Sequence, residues 1–326
     1  MRIDAALILP GLFYPVAPNV KHPPIQQAYL GDTPYAVYRG KNNCLTVHSD
    51  VCPHMQAHLS SGWLTKEGGI TCPYHGFVFK GGRFCGIHGT ECKGEGGRQV
   101  LKPVTVYEDK DLVYMATTTQ GHTTVPPPYY PPEACDKSFR VVTGYRDLEV
   151  PQQQVTENLL DLLHISFVHS FGNPHLPLAR NIKFTQTGDF SGRTTFSYVP
   201  RSSTLSSILA GNAAPLVEVE NEYYLPSTTI TRVRIGNDVK VVLTRAQPKT
   251  STTTRLYWQL YRNFYTSNIL DYGFNVLMDI TIDEDAWILS RTYSSKPCNV
   301  LPSPYDVTID AYRRSLEVYK AKFGVS

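Results

Sequence analysis

A chain of 326 residues with 41% hydrophobic and 18% charged content is long enough for two ordinary domains and too apolar to stay disordered. Its formal net charge of +3 is small and evenly spread, which excludes an electrostatic nucleic-acid binder, and no apolar run reaches the length of a bilayer crossing. The first residues, with acidic Asp4 and no small-residue cleavage site, do not resemble a signal peptide, so an intracellular, cytoplasmic protein is expected.

From Ala28 to about Met115 short strand-like runs alternate with Gly, Pro and Asn, as in Pro34–Arg39, Gly76–Lys80 and Leu112–Met115. Gly81-Gly82 has the composition of a hairpin turn, and nothing in this stretch keeps a helical apolar period. Pro126-Pro-Pro-Tyr-Tyr-Pro-Pro132 then predicts a stiff, extended connection. A helix is predicted from Val155 to about His169 with Thr156 as its N-cap. Strand-like segments follow at about 182–198, 217–235, 239–246 and 252–264, and two helices close the chain, at about 269–293 and 306–323. The expected order is an all-β domain over 1–118, a proline-rich linker over 119–137 and an α+β domain over 138–326.

Five of the seven cysteines, Cys44, Cys52, Cys72, Cys85 and Cys92, crowd into the first third beside histidines. In a reducing compartment that grouping points to metal before disulfide. Cys52-Pro-His54 and Cys72-Pro-Tyr-His75 each pair a thiolate with an imidazole two or three residues apart. Zinc modules more often pair Cys with Cys and His with His, though a Cys₂His₂ zinc site is an alternative. Mixed halves suit a [2Fe–2S] cluster in which two Cys hold one iron and two His the other. Cys85, Cys92, His58 and His88 then have no ligand role.

A second constellation lies on the predicted helix. Asn158, Asp161 and His164 recur every three residues and line one side, whereas His169 sits well round a regular helix. Both imidazoles reach one metal only if the helix ends or distorts between them. The surrounding Leu159, Leu160, Leu162, Leu163 and Phe167 make the helix apolar nearly all round, so its polar side needs a function. Two imidazoles with one carboxylate leave sites open for O₂ on Fe(II). The carboxylate must come from elsewhere, with Asp283, Glu284 and Asp285 ahead of Asp271 and Asp279.

The string from Cys52 to Gly62, the string Cys72–Phe79 and the segment Glu157–His169 together resemble the Rieske non-haem iron oxygenases, in the branch of vanillate demethylase and dicamba monooxygenase. Met55 departs from the arginine common there. Ala57 and Tyr74 stand where respiratory Rieske proteins carry an extra disulfide, which implies a low-potential cluster. The resemblance implies a Rieske [2Fe–2S] domain followed by a helix-grip (START-like) catalytic domain. It implies cluster ligands Cys52, His54, Cys72 and His75, mononuclear iron ligands His164, His169 and Asp285, and roles for Asp161 and Asn158 in electron transfer and support of the site. It also implies a homotrimer in which the Asp161 carboxylate bridges a cluster histidine of one subunit to His164 of the next. Electrons would come from NAD(P)H through a separate reductase or ferredoxin, since no dinucleotide motif is evident. A small organic substrate and O₂ are expected, with hydroxylation or oxidative demethylation as the reaction; a Rieske carrier without oxygenase activity is the alternative. Phe171, Leu205, Leu243, Trp258 and Val276 are candidates to line the pocket, and Arg201, Arg232, Arg234 and Arg245 to anchor an acidic group.

Overall fold

The computed structural model describes residues 6–19, 24–90, 97–102, 104–117, 125–201, 216–292, 301 and 303–325. The chain divides into two compact units, Met1–Pro127 with Pro248–Ser251, and Pro128–Gln247 with Thr252–Ser326. Cys92, Cys298, Leu205 and the start of the expected linker lie outside the described residues.

The first unit is built from short antiparallel strands. A three-stranded sheet has the order β1 (Tyr14–Pro18), β10 (Leu112–Ala116), β9 (Thr105–Glu108), and a second has β2 (Ile25–Leu30), β3 (Thr33–Arg39), β4 (Leu45–Ser49). A four-stranded sheet joins β5 (Trp63–Leu64), β6 (Ile70–Thr71), β7 (Phe77–Lys80) and β8 (Arg83–Ile87). The β7–β8 turn is the predicted Gly81-Gly82, with φ of 53° and 77°; two successive left-handed residues favour glycine there. Ile25, Ala36, Tyr38, Leu59, Ile70 and Phe79 form an apolar core that also takes in Cys52 and Cys72.

The second unit rests on one seven-stranded sheet, in the order β11-β17-β16-β15-β14-β13-β12. Its strands are β11 (Arg140–Leu148), β12 (Arg180–Gly188), β13 (Ser191–Tyr198), β14 (Val217–Tyr224), β15 (Thr228–Ile235), β16 (Asp238–Pro248) and β17 (Thr254–Arg262). The predicted 182–198 and 217–235 segments are each a hairpin, and β11 escaped the sequence reading. Helices α3 (Asp271–Leu289) and α4 (Val307–Phe323) fall where two closing helices were expected.

The two faces of this sheet differ. On the inner face Phe274, Met278 and Ile282 of α3 bury Leu148, Ala246, Leu256, Trp258 and Leu260. Gly144 is bare because the Trp258 indole covers it: a Cβ there would lie 2.4 Å from the ring. Helix α4 packs on the same face against β13, with Thr308 Oγ1 2.7 Å from Thr194 Oγ1 and Ser315 Oγ 2.9 Å from Tyr223 OH. The outer face is covered by the chain around 130–139. Tyr130, Ala134 and Phe139 pack on Ile230, Val241, Leu243 and Tyr261, and Glu133 accepts from Arg232 at 2.7 and 2.9 Å. The second half of the expected linker is therefore laid along a sheet face, not held free as a spacer.

The helix predicted over 155–169 is two helices. α1 runs Gln152–Leu160 behind Pro151, so Thr156 lies inside it and caps nothing; Asp161 is extended, at ψ 132°. α2 spans His164–Val168, and His169 is again extended, at ψ 141°.

Arg262, fully buried, clamps the start of α3: its Nη2 donates to Asp271 Oδ1 at 2.6 Å and its guanidinium lies 4.0 Å over the Phe274 ring. Arg140 donates to the same carboxylate at 2.5 Å. These donors, Arg140 first and then Arg262, hold the Asp271 carboxyl down at about 2. An acid depressed on folding stabilises the native state above its unfolded value near 3.8 and loses that contribution as pH falls towards 2. The thermal midpoint should therefore fall more steeply between pH 4 and pH 2 in the wild type than in Asp271→Asn; parallel slopes would rule this clamp out as a source of acid lability.

Candidate metal centres

Two loops present the first constellation, and they close alike. Cys52 N–H donates to Ala57 O at 2.9 Å and Gln56 N–H to Cys52 O at 2.9 Å; Cys72 N–H donates to Phe77 O at 2.8 Å and Gly76 N–H to Cys72 O at 3.1 Å. The fourth residue after each cysteine is left-handed, Gln56 at φ 58° and Gly76 at φ 68°. Each loop thus folds back over its own cysteine. Glycine suits position 76 because its φ is left-handed.

Asp50, wholly buried, ties down the first loop. Its carboxylate accepts from Ser60 N–H at 2.6 Å, Ser60 Oγ at 2.7 Å and Gln27 Nε2 at 2.7 Å, and meets His58 Nδ1 at 3.1 Å. His58 therefore braces the loop, which sequence alone did not reveal.

Both thiols are buried, and both imidazoles are exposed with ring centroids 4.7 Å apart. His54 stacks on Phe77 at 4.6 Å and His75 on Tyr74 at 3.9 Å. Burial pushes the Cys52 thiol up, against the backbone N–H groups of His54 and Met55, which favour its thiolate. The Met55 side chain itself is exposed. Among the described residues, three or more donor atoms that all lie within 4.8 Å of one another occur at His164, His169 and Asp285, and Cys52, His54, Cys72 and His75 form no such group. A buried sulfur pair beneath a spaced imidazole pair suits a two-iron cluster better than one zinc ion.

The second constellation is compact. Asp285 Oδ1 lies 3.7 Å from His164 Nε2 and 3.6 Å from His169 Nε2. Those spacings are too long for hydrogen bonds and close to the separation of two ligands each about 2.1 Å from one ion. His164 Nδ1 lies 3.0 Å from the Asp161 carbonyl and His169 Nδ1 3.0 Å from Glu284 Oε2, and both are pure acceptors. Each Nδ1 must therefore carry the ring proton, which leaves each Nε2 with a bare lone pair facing Asp285. Burial, then the neighbouring His164, lowers the His169 pKa against the pull of Asp285 and Glu284. Asp285 Oδ1 is buried with no hydrogen-bond donor. Two imidazole lone pairs facing an orphaned carboxylate oxygen are costly unless a cation sits among the three atoms, so the residues fit a divalent iron.

The break between α1 and α2 builds this geometry. Asp161 Oδ1 accepts from Leu163 N–H at 2.7 Å and His164 N–H at 3.2 Å, and Asn158 O accepts Asp161 N–H at 3.2 Å. Asp161 thus meets His164 through its backbone carbonyl, while its carboxylate is engaged with the α2 N–H groups. That corrects the expectation of a carboxylate–imidazole bond within the chain. Of the other acidic candidates, Asp283 pairs with Arg146 at 2.6 Å, Asp271 is held by two arginines, and Glu284 accepts from Ser170 N–H at 3.1 Å besides His169.

Phe171 stacks on His169 at 4.9 Å, and Trp258 lies on the inner face, whereas Val276 is exposed on α3. Leu243, Arg232 and Arg245 sit on the outer face, away from His164, His169 and Asp285. There Arg232 pairs with Glu133, Glu220 and Glu222, and Arg245 covers the Tyr130 ring at 4.3 Å. Arg234 lines a cleft of about 320 Å³ on that same face with Ser197 and Glu218. These three arginines are structural or outward, not anchors at the metal.

Residues 14–107 match the Rieske [2Fe-2S] domain, and residues 148–317 match the vanillate O-demethylase oxygenase C-terminal domain. The oxygenase component of dicamba O-demethylase from Stenotrophomonas maltophilia is 33% identical over 143 residues, covering 42% of this chain and 40% of that protein. The chloroplastic protochlorophyllide-dependent translocon component 52 of Arabidopsis thaliana is 23% identical over 337 residues, 84% of this chain and 58% of that protein. The matches thus span well under two thirds of these relatives' lengths. Among solved structures, Pseudomonas putida CBB5 NdmA with caffeine superposes with a TM-score of 0.77 at 18% identity, covering 96% of this chain and 91% of that one. Dicamba monooxygenase with 3,6-dichlorosalicylic acid gives 0.75 at 19% identity, covering 97% and 99%.

Glu284→Gln should keep the hydrogen bond to His169 Nδ1 but remove the charge behind it. Affinity of the site for Fe(II), measured by competition with a colorimetric chelator, is expected to fall about 10- to 100-fold with the visible cluster spectrum unchanged.

Proposed function

The chain belongs to the vanillate O-demethylase oxygenase family through its second unit, joined to a Rieske [2Fe–2S] domain, and on that premise we propose that it is an oxygenase that hydroxylates or oxidatively demethylates a small organic molecule. The observation that carries this reading is the orphaned Asp285 oxygen between two imidazoles whose protons are engaged elsewhere. Cys52, His54, Cys72 and His75 would hold the cluster, and His164, His169 and Asp285 the mononuclear Fe(II). When bound, the cluster supplies single electrons and the ferrous ion supplies O₂ activation against a C–H bond.

The chain's own residues prepare that chemistry. Asp161 O and Glu284 fix the tautomers of His164 and His169, so neither ring must lose a proton before it ligates. The stacked Phe171 and the apolar inner layer shelter the site from water. A carrier protein needs no such second donor set, which weighs against the electron-transfer alternative.

Electrons would come from NAD(P)H through a separate reductase or ferredoxin. The described cysteines are all free, which suits a reducing cytoplasm, and no described helix is long and apolar enough to cross a membrane. Dicamba monooxygenase and NdmA were solved with small ring compounds, and a substrate of that size is proposed here. We also propose a homotrimer in which a cluster histidine of one subunit, His54 or His75, lies against Asp161 of the next.

Iron content tests the site first. The wild type should hold three irons per chain and His164→Ala two, with the red chromophore retained; three in the variant would refute the ligand assignment. Asp161→Asn keeps an acceptor oxygen for the α2 N–H groups but loses the charge. It should bind both metals yet transfer electrons to the iron site at least tenfold more slowly in a single turnover, and wild-type rates would exclude Asp161 from the path.

A further inference from the structure

We propose that Lys240 anchors the anionic group of a monoanionic substrate over the inner face of the sheet, on the side that carries His164, His169 and Asp285. This deepens the oxygenase reading and rests on it.

The side follows from register. Lys240 pairs with Val233 across β15–β16, so the two share a face, and Val242 lies two residues on along β16. Val233 packs with Leu162 and Ile165, and Val242 with the cluster that includes Leu159. Lys240 therefore faces the layer formed by α1 and α2, the second of which begins with His164 and ends at His169. Space exists there. Thr231, Val233, Lys240 and Val242 are all only partly buried although they face helices, while Thr244 and Ala246 further along β16 are closed off.

The charge follows from what surrounds it. Among the described residues no carboxylate pairs with Lys240 and no hydrogen bond satisfies it, whereas Arg262 one strand over donates to Asp271 through Nη2 and covers the Phe274 ring. A lysine that merely snorkels to bulk water keeps its ordinary pKa; desolvation holds this one below it. An unpaired ammonium kept in a partly dehydrated space is a standing cost that a bound anion removes. A single free cation matches one unit of negative charge, a carboxylate or phenolate, better than a phosphate dianion. The Thr231 hydroxyl donates to Asn221 Oδ1 at 2.6 Å and adds no charge.

The test uses the full chain with cluster and iron in place. Ring-substituted benzoates and their matched benzamides are measured by equilibrium binding, in the wild type, Lys240→Met and Lys240→Arg. Benzoates should bind the wild type about tenfold or more tighter than their amides. Lys240→Met should erase that preference and leave amide binding within about twofold, and Lys240→Arg should keep most of it. Thermal unfolding adds a readout that needs no ligand. Lys240→Met should unfold at the same temperature as the wild type or a few degrees higher, because it removes a partly desolvated charge that has no partner among the described residues. No carboxylate preference in the wild type, or a clear loss of thermal stability in Lys240→Met, would overturn the proposal. Substrate-stimulated O₂ uptake with a surrogate reductase separates the two readings. Selective binding without uptake leaves Lys240 as an anion anchor and sinks the oxygenase; uptake driven by neutral compounds alone, without carboxylate preference, does the reverse.

Discussion

The hydrogen bonds from His164 Nδ1 to the Asp161 carbonyl and from His169 Nδ1 to Glu284 commit both ring protons away from Asp285, and most of the second unit is arranged around that commitment. With the protons placed, three lone pairs lie together, an arrangement that a bound cation would relieve. The helix break, the neighbouring acids on α3 and the apolar layer beneath all keep those pairs aimed while denying them a competing donor.

Asp161 shows how one residue does this by ending a helix. Its carboxylate takes up the first N–H groups of α2, which stops α1 from running on, and its carbonyl orients the first imidazole. Had α1 continued to residue 169, the two histidines would have diverged by well over a quarter turn. Two adjacent acids on α3 divide the remaining work. Successive helical side chains point about 100° apart, so Asp285 faces the open Nε2 atoms while Glu284 reaches round to the Nδ1 of His169.

What the sequence disclosed follows the range of each interaction. Cys52, His54, Cys72 and His75 are legible because each loop carries its donors within four residues, and His164 and His169 because they stand in a nearly all-apolar stretch that reads as one helix. Asp285 lies more than a hundred residues away, and its approach depends on how α3 crosses the sheet, which spacing does not encode. The misplaced arginines have a related cause. Alternation along β15 and β16 separates Arg232, Leu243 and Arg245 from Thr231, Val242 and Thr244, but which set faces the metals is decided by the strap at 130–139 covering one side. That strap reads in sequence as a spacer. Lys240 was missed for the converse reason, because a lysine in an alternating strand reads as solvent-facing.

The two cysteine loops close through main-chain bonds, and the N–H groups that favour the Cys52 thiolate are those of residues 54 and 55 themselves. Donors of that kind belong to the peptide backbone and survive any side-chain replacement short of proline. The donors nearest the Cys52 sulfur are thus carried in a part of the molecule that point mutation barely touches. At the exposed position 55 the side chain and the main chain are thus decoupled: the methionine faces outward while its N–H serves the sulfur within.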